Sequence, residues 1–137
     1  MSTYENLLTE AENEKITIVE KYFKSKAKGL CKNNRIGISR SIATSAERAC
    51  ILAEELGHYH TTYGNILNQK DVRNLKQERR AQNWAFEKLV SLDKLIMAYK
   101  VGVKNRHDLA EYLDVIEEFL EEAIKYYKTK YGIYVEY

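Results

Sequence analysis

The chain has 137 residues, of which 45% are hydrophobic and 31% are charged. This length and balance fit one globular domain, with or without a short appendage, and exclude a disordered or fibrous chain. The formal net charge is only +2, so bulk electrostatics give no reason to expect nucleic-acid binding. No apolar run approaches the roughly 20 residues that span a bilayer, and residues 1–15 lack the pattern of a signal peptide. We therefore expect a cytoplasmic protein that does not enter a membrane.

The cysteine and proline content narrows the class of protein further. Cys31 and Cys50 are too few for a disulfide framework, and neither belongs to a CxxC pair. We predict that both are buried, reduced thiols. Proline is absent, which removes the commonest helix breaker and favours long helices.

The first forty residues predict a helix followed by three short strands. A cap at Ser2 or Thr3 begins the opening helix. From Lys15 onward, isoleucines alternate with polar residues, as in a strand. Residues 28–40 then form two extended segments around the turn-forming pair Asn33-Asn34, which predicts a β-hairpin. The apolar positions of this hairpin are Leu30, Ile36 and Ile38.

The rest of the chain is predicted to be helical apart from one long loop. Residues 44–47 have the spacing of a capping box, which places the start of a largely buried helix near Ser45. Residues 61–74 are polar and predict a loop of about a dozen residues. Further helices are predicted over residues 77–89, from Ser91 or Asp93, after a cap at Asn105, and after Asp114.

The segment with recognisable chemistry is residues 53–60, AEELGHYH. On a helix, Glu54 and His58 project from one face, while Glu55 lies beside them, about 100° around the axis. This is the geometry of a zinc-peptidase helix, in which two ligands at i and i+4 hold the metal and the residue after the first ligand is the general base. Glu78, on the next predicted helix, could complete a three-ligand site.

Two segments together carry a family resemblance. Residues 52–59 (LAEELGHY), followed by residues 78–85 (ERRAQNWA), resemble the ImmA/IrrE family of metallo-endopeptidases. That family's usual pattern is Ala-His-Glu-Leu-Gly-His, followed by Glu-x-x-Ala-x-x-aromatic-Ala. The resemblance extends over most of the chain, including the hairpin that contains Gly29. It implies an α+β fold, with a small zincin-like metallopeptidase domain over residues 1–90 and a helical tail over residues 91–137 packed on the same domain. The domain is expected to contain a short antiparallel sheet and a buried motif helix.

The resemblance also implies roles for individual residues. His58 and Glu78 would be metal ligands, Glu55 the catalytic base that activates water, and Tyr59 a residue that flanks the site. Glu54 stands where the family has its first histidine ligand. Because glutamate can ligate zinc through oxygen, the expected ligands are Glu54, His58 and Glu78, and the expected cofactor is Zn2+. The additional carboxylate makes the site less positive, and its harder oxygen also suits Mn2+ or Fe2+.

Two functional hypotheses follow from this resemblance and its one departure. The first is a metal-dependent endopeptidase, similar to those encoded with prophages or mobile elements, that cleaves a partner repressor of the helix-turn-helix (Xre) type. Residues 61–74 are the candidate rim that contacts this protein substrate. The rival hypothesis, favoured by Glu54, is a catalytically inactive pseudopeptidase that binds a regulator without cutting it.

Two further residues of the motif helix have competing interpretations. His60 points some 200° away from His58 on a continuous helix, so we expect a helix-end residue. If the helix instead ends at Tyr59, His60 could fold back as a substitute ligand. Cys50 lies one turn before Glu54 and is expected to be a packed core thiol rather than a ligand.

The tail contains a pattern that is typical of DNA-binding proteins. Residues 109–115 and the helix after them resemble the first helix and turn of a helix-turn-helix. That next helix, however, carries acidic side chains where phosphate-facing basic residues would be needed. We therefore expect no direct contact with nucleic acid, a packing or partner-docking role for the tail, and a surface position for His107. The acidic residues are Glu117, Glu118, Glu121 and Glu122.

Overall fold

The computed structural model describes residues 2–61 and 75–132, and these form six α-helices and one three-stranded β-sheet. The predicted α+β class is confirmed. The elements are α1 (Thr3–Asn13), β1 (Thr17–Lys21), β2 (Gly29–Lys32), β3 (Arg35–Ser39), α2 (Ser45–Thr61), α3 (Leu75–Leu89), α4 (Leu92–Lys100), α5 (Arg106–Leu113) and α6 (Glu117–Tyr131).

The sheet has the strand order β1-β3-β2, so that β1 and β2 both lie at edges. The predicted hairpin is confirmed, because β2 pairs antiparallel with β3 and Cys31 lies opposite Ile36. The expected short antiparallel sheet corresponds to this hairpin, whereas β1 runs parallel to β3, with Ile18 opposite Ile36, so the complete sheet is mixed. Residues 22–28 connect β1 at one edge of the sheet to β2 at the other edge. Strand β3 then pairs between them, beside β1. Parallel partners need such a crossover, and apolar alternation within a strand does not encode its direction.

Helix α2 forms the centre of the core. Its start at Ser45 agrees with the predicted capping box, since the Thr44 hydroxyl accepts a 3.1 Å hydrogen bond from the Glu47 amide. The helix contacts α1, α3 and the sheet, where Ile36 and Ile38 are buried. Its own buried apolar residues are Ala49, Cys50, Leu52, Ala53 and Leu56.

One prediction about β2 is wrong, because Cys31 is half-buried rather than buried. Leu30, an apolar position of the predicted hairpin, is 51% exposed. The reason is that β2 is an edge strand, whose alternate residues face α2 or solvent. Cys50 is buried as predicted, and both cysteines are free thiols.

The predicted helix caps of the tail are confirmed. The Ser91 hydroxyl accepts a hydrogen bond from the Lys94 amide and begins α4. The Asn105 side chain accepts one from the Asp108 amide and begins α5. Helix α5 ends at Leu113, and its C-cap residue Asp114, with a φ of 58°, turns the chain toward α6.

The tail contacts the part of the chain before residue 90. The Thr3 amide donates a 2.9 Å hydrogen bond to the Asp114 carboxylate. The rings of Phe86 on α3 and Phe119 on α6 meet edge to face, with centroids 5.1 Å apart. The division of the chain at residue 90 stays a prediction.

The surface of the tail agrees with the sequence. The four glutamates of α6 are exposed, and so is His107. The acidic face of α6 therefore lies on the surface and is not part of the core. In the parts of the chain that the structure describes, no helix combines the length and apolar character that a membrane span requires.

Candidate metal centre

The site lies beside a close crossing of α2 and α3 at Gly57 and Ala81. A Cβ atom added to Gly57 would lie 2.3 Å from the carbonyl oxygen of Ala81, a distance at which backbone atoms must shift. Only a residue without a side chain permits this approach. Because His58 follows Gly57 and Glu78 lies one turn before Ala81, the crossing brings these two side chains together.

His58 and Glu78 face one another across the two helices. The Nε2 atom of His58 lies 3.3 Å from the Oε1 atom of Glu78. The His58 side chain is only 5% exposed, whereas that of Glu78 is 40% exposed. The pair therefore joins the buried side of α2 to solvent at the start of α3, as an accessible site requires.

Glu54 lies one turn before His58 and is half-buried. Burial, reinforced by the negative charges of Glu55 and Glu78, raises the pKa of Glu54 to about 7. Three carboxylates thus lie close enough to influence one another around one imidazole. A divalent cation bound among them would offset their mutual repulsion.

Glu55 is buried, and Gly29 of the sheet packs closely against it. A Cβ atom on Gly29 would lie 2.9 Å from Cγ and 3.1 Å from Oε2 of Glu55. Strand β2 therefore approaches the predicted base at a position where a larger side chain would force Ile51 or Glu55 to move. Glu55 is 7% exposed, and a buried carboxylate is costly unless it has partners or a function.

The donor types at the site suit a divalent metal ion, because imidazole nitrogen and carboxylate oxygen are ordinary ligands of zinc and related cations. The donor atoms of Glu54, His58 and Glu78 are not yet gathered as tightly as in a closed site. In residues 2–61 and 75–132, the trio whose donor atoms all lie within 4.8 Å of one another is His107, Asp108 and Glu111, all exposed. At least one pair of donor atoms among Glu54, His58 and Glu78 therefore lies more than 4.8 Å apart.

Comparison with known protein families shows the family to which the chain belongs. The model of the IrrE N-terminal-like domain, peptidase M78, matches residues 11–125. The chain belongs to this family. The match crosses residue 90 and covers the sheet, both helices of the site and most of the tail. The M78 family is metallopeptidase-like, which agrees with the imidazole and carboxylates at the crossing of α2 and α3. No curated protein and no solved structure matches the chain significantly.

His60 is in the last turn of α2, which continues to Thr61, so the alternative in which the helix ends at Tyr59 is wrong. Its Nε2 atom lies 3.1 Å from Oε2 of Glu14, and its ring stacks on Trp84 with centroids 4.9 Å apart. His60 therefore connects the end of α2 to α1 and α3, as a helix-end residue. Its ring also meets that of Tyr59 edge to face.

Cys50 is a core thiol. Burial raises the pKa of Cys50 to about 12, so the sulfur is protonated at neutral pH. Its burial and its neutral form agree with the expectation of a packed core thiol.

Sequence reasoning did not assign roles to Gly29 or Glu14. A glycine inside a strand was a usable signal for close approach, whereas nothing local relates Glu14 to His60. The predicted substrate rim at residues 61–74 lies outside the described residues, apart from Thr61.

Proposed function

We propose that this M78 protein is a metal-dependent endopeptidase. The observation that carries the proposal is the buried His58 imidazole 3.3 Å from the Glu78 carboxylate, with Glu54 and Glu55 on the same helix. Glu54, His58 and Glu78 would hold the metal, with Zn2+ as the expected ion and Mn2+ or Fe2+ as alternatives. When bound, a divalent metal supplies Lewis-acid polarisation of the scissile carbonyl and increases the acidity of water.

In this proposal Glu55 acts first as the general base and then as the general acid. Its carboxylate takes a proton from the attacking water and delivers that proton to the leaving amine. Gly29 leaves room for Glu55, because any side chain there would displace the Glu55 Cγ atom. His58 and Glu78, on different helices, fix the site relative to the crossing at Gly57.

The proposed substrate is a partner protein, a helix-turn-helix repressor of the Xre type, in the cytoplasm. The support for this choice is the family resemblance of the motif helix and of the segment that follows it. The acidic face of α6 supports a tail that does not contact nucleic acid directly.

A second function is favoured by two observations. Glu54 replaces the family's usual histidine, and the donor atoms of Glu54, His58 and Glu78 are not all within 4.8 Å. A pseudopeptidase that binds a regulator without cutting it would tolerate such a site.

The test is proteolysis by the wild-type protein compared with the Glu55→Gln variant. Each protein is incubated with a lysate of cells that contain its partner repressor, and new protein N-termini are counted by mass spectrometry. The endopeptidase hypothesis predicts new N-termini that appear only with the wild-type protein, including one within a helix-turn-helix protein. Identical termini with both proteins, together with equal repressor binding, would favour the pseudopeptidase.

A further inference from the structure

Basic residues of this chain are concentrated in the sheet region. Residues 15–40 contain eight of the 22 basic residues and one of the 20 acidic residues. The remaining sequence is therefore net acidic, although the whole chain is nearly neutral. All eight basic residues are exposed: Lys15, Lys21, Lys24, Lys26, Lys28, Lys32, Arg35 and Arg40.

The strand register divides these residues between the two faces of the sheet. The face of β2 and β3 that packs on α2 contains Gly29, Cys31, Ile36 and Ile38. The opposite face of these strands therefore contains Leu30, Lys32, Arg35 and Gly37. Lys32 lies opposite Arg35, which forms a basic pair on this second face.

An apolar row crosses the same face beside the basic pair. Gly37 lies opposite both Val19 and Leu30, and the space above Gly37 is occupied by the ring of Phe23. Val19 is 37% and Leu30 51% exposed. We define Val19, Phe23, Leu30, Lys32 and Arg35 as the outer sheet face.

The outer sheet face and the residue that packs on Glu55 meet at the edge strand β2. Gly29, against Glu55, and Leu30, on the outer sheet face, are consecutive residues of edge strand β2. A chain that enters the site along this edge therefore reaches the outer sheet face within a few residues, since one extended residue spans about 3.3 Å.

We propose that the outer sheet face is a docking surface for an acidic, apolar-containing segment of the protein substrate. The basic pair attracts the negative charges, and the apolar row takes up aliphatic side chains. The apolar row distinguishes this surface from a phosphate-binding one, which needs only positive charge and hydrogen-bond donors. That the docked segment belongs to a substrate rests on the proposed peptidase function.

The experiment measures binding without cleavage, in full-length protein with Glu55→Gln. The probe is a short fluorescein-labelled peptide rich in glutamate and leucine, followed by fluorescence anisotropy. Comparison probes replace its glutamates with glutamine or its leucines with serine. A DNA duplex and vesicles of phosphatidylserine and phosphatidylcholine serve as other polyanions.

The variants reverse two charges on the outer sheet face or two elsewhere. Lys32→Glu with Arg35→Glu should weaken peptide binding roughly tenfold. The matched control, Lys100→Glu with Lys104→Glu, has the same net charge and should change binding by less than about twofold. Leu30→Ser should weaken binding of the leucine-containing peptide and leave the serine version unchanged.

Equal weakening by both charge-reversal pairs would overturn the proposal, since binding would then reflect net charge alone. Tighter, Lys32- and Arg35-dependent binding of DNA or vesicles would also overturn it. Selective peptide binding by a chain that shows no proteolysis supports the docking surface and counts only against the proposed peptidase function. Absence of selective binding in an active peptidase overturns the docking surface alone.

Discussion

Gly57 on α2 packs directly against the backbone of Ala81 on α3. A Cβ atom on Gly57 would lie 2.3 Å from the Ala81 carbonyl oxygen. The contact lies beside His58 and one turn from Glu78, so the same approach that packs the helices brings these two side chains together. Stability and site geometry therefore depend on one glycine.

Gly57→Ala is expected to destabilise the protein by about 2 kcal/mol. Alanine is the better helix former by about 1 kcal/mol, but forcing a methyl group into a backbone contact costs about 3 kcal/mol. Urea unfolding measures the change. Gly37→Ala is the control, because its Cβ would press on the movable side-chain ring of Phe23, at 3.2 Å, and would make only an ordinary 3.9 Å contact with backbone, at the Val19 carbonyl oxygen. Equal stability of Gly57→Ala and wild type would contradict the close crossing.

Gly29→Ala is expected to reduce cleavage more than it reduces stability. The new methyl group would meet the side chains of Ile51 and Glu55, which can move, but moving Glu55 misplaces the proposed base. A displacement of about 1 Å costs a rate factor of roughly tenfold to a hundredfold. The rate of formation of wild-type-specific N-termini measures this. Gly102→Ala is the control, because it strains a turn with a φ of 89° after α4, where nothing lies within 4 Å of the new methyl group. An unchanged rate of cleavage would contradict the role of Glu55 as the catalytic base.

Glu54→His is expected to strengthen zinc binding roughly tenfold, because imidazole replaces a carboxylate that otherwise shares the site with two other negative charges. Competition with a chromophoric chelator measures the dissociation constant. Glu118→His, on the exposed face of α6, makes the same chemical change away from the site. Weaker zinc binding by Glu54→His would show that residue 54 is not a ligand position.

Cys50 is expected to resist thiol reagents until the protein unfolds. Its pKa, raised by burial to about 12, lies above the ordinary value of 9.0, so burial of the neutral thiol stabilises the fold below about pH 9. That contribution is lost as the pH rises toward 12. In Cys31→Ser protein at about pH 9, Ellman's reagent should react only after urea is added. Rapid reaction of the folded variant would mean that Cys50 is accessible.

Local features of the sequence predicted much of this fold. The cap at Thr44, the caps at Ser91 and Asn105 and the spacing of Glu54 and His58 depend on neighbours within one helical turn. Such relations are encoded within a few residues, and the structure agrees with them.

Relations between distant segments were not predictable in the same way. The parallel pairing of β1 with β3 and the contact of Gly57 with Ala81 depend on how separate elements meet. The exposure of Leu30 follows from the edge position of β2, which a single strand's alternation does not reveal.

The most direct test of the account is the metal content of protein purified without chelator or affinity-tag nickel. We expect close to one zinc, manganese or iron ion per chain, absent from the Glu54→Ala, His58→Ala double variant and retained by His107→Ala. The His107 variant controls for the exposed cluster of His107, Asp108 and Glu111. Metal-free protein that takes up none of the three ions, or metal lost only with His107, would contradict a metal centre at the crossing of α2 and α3.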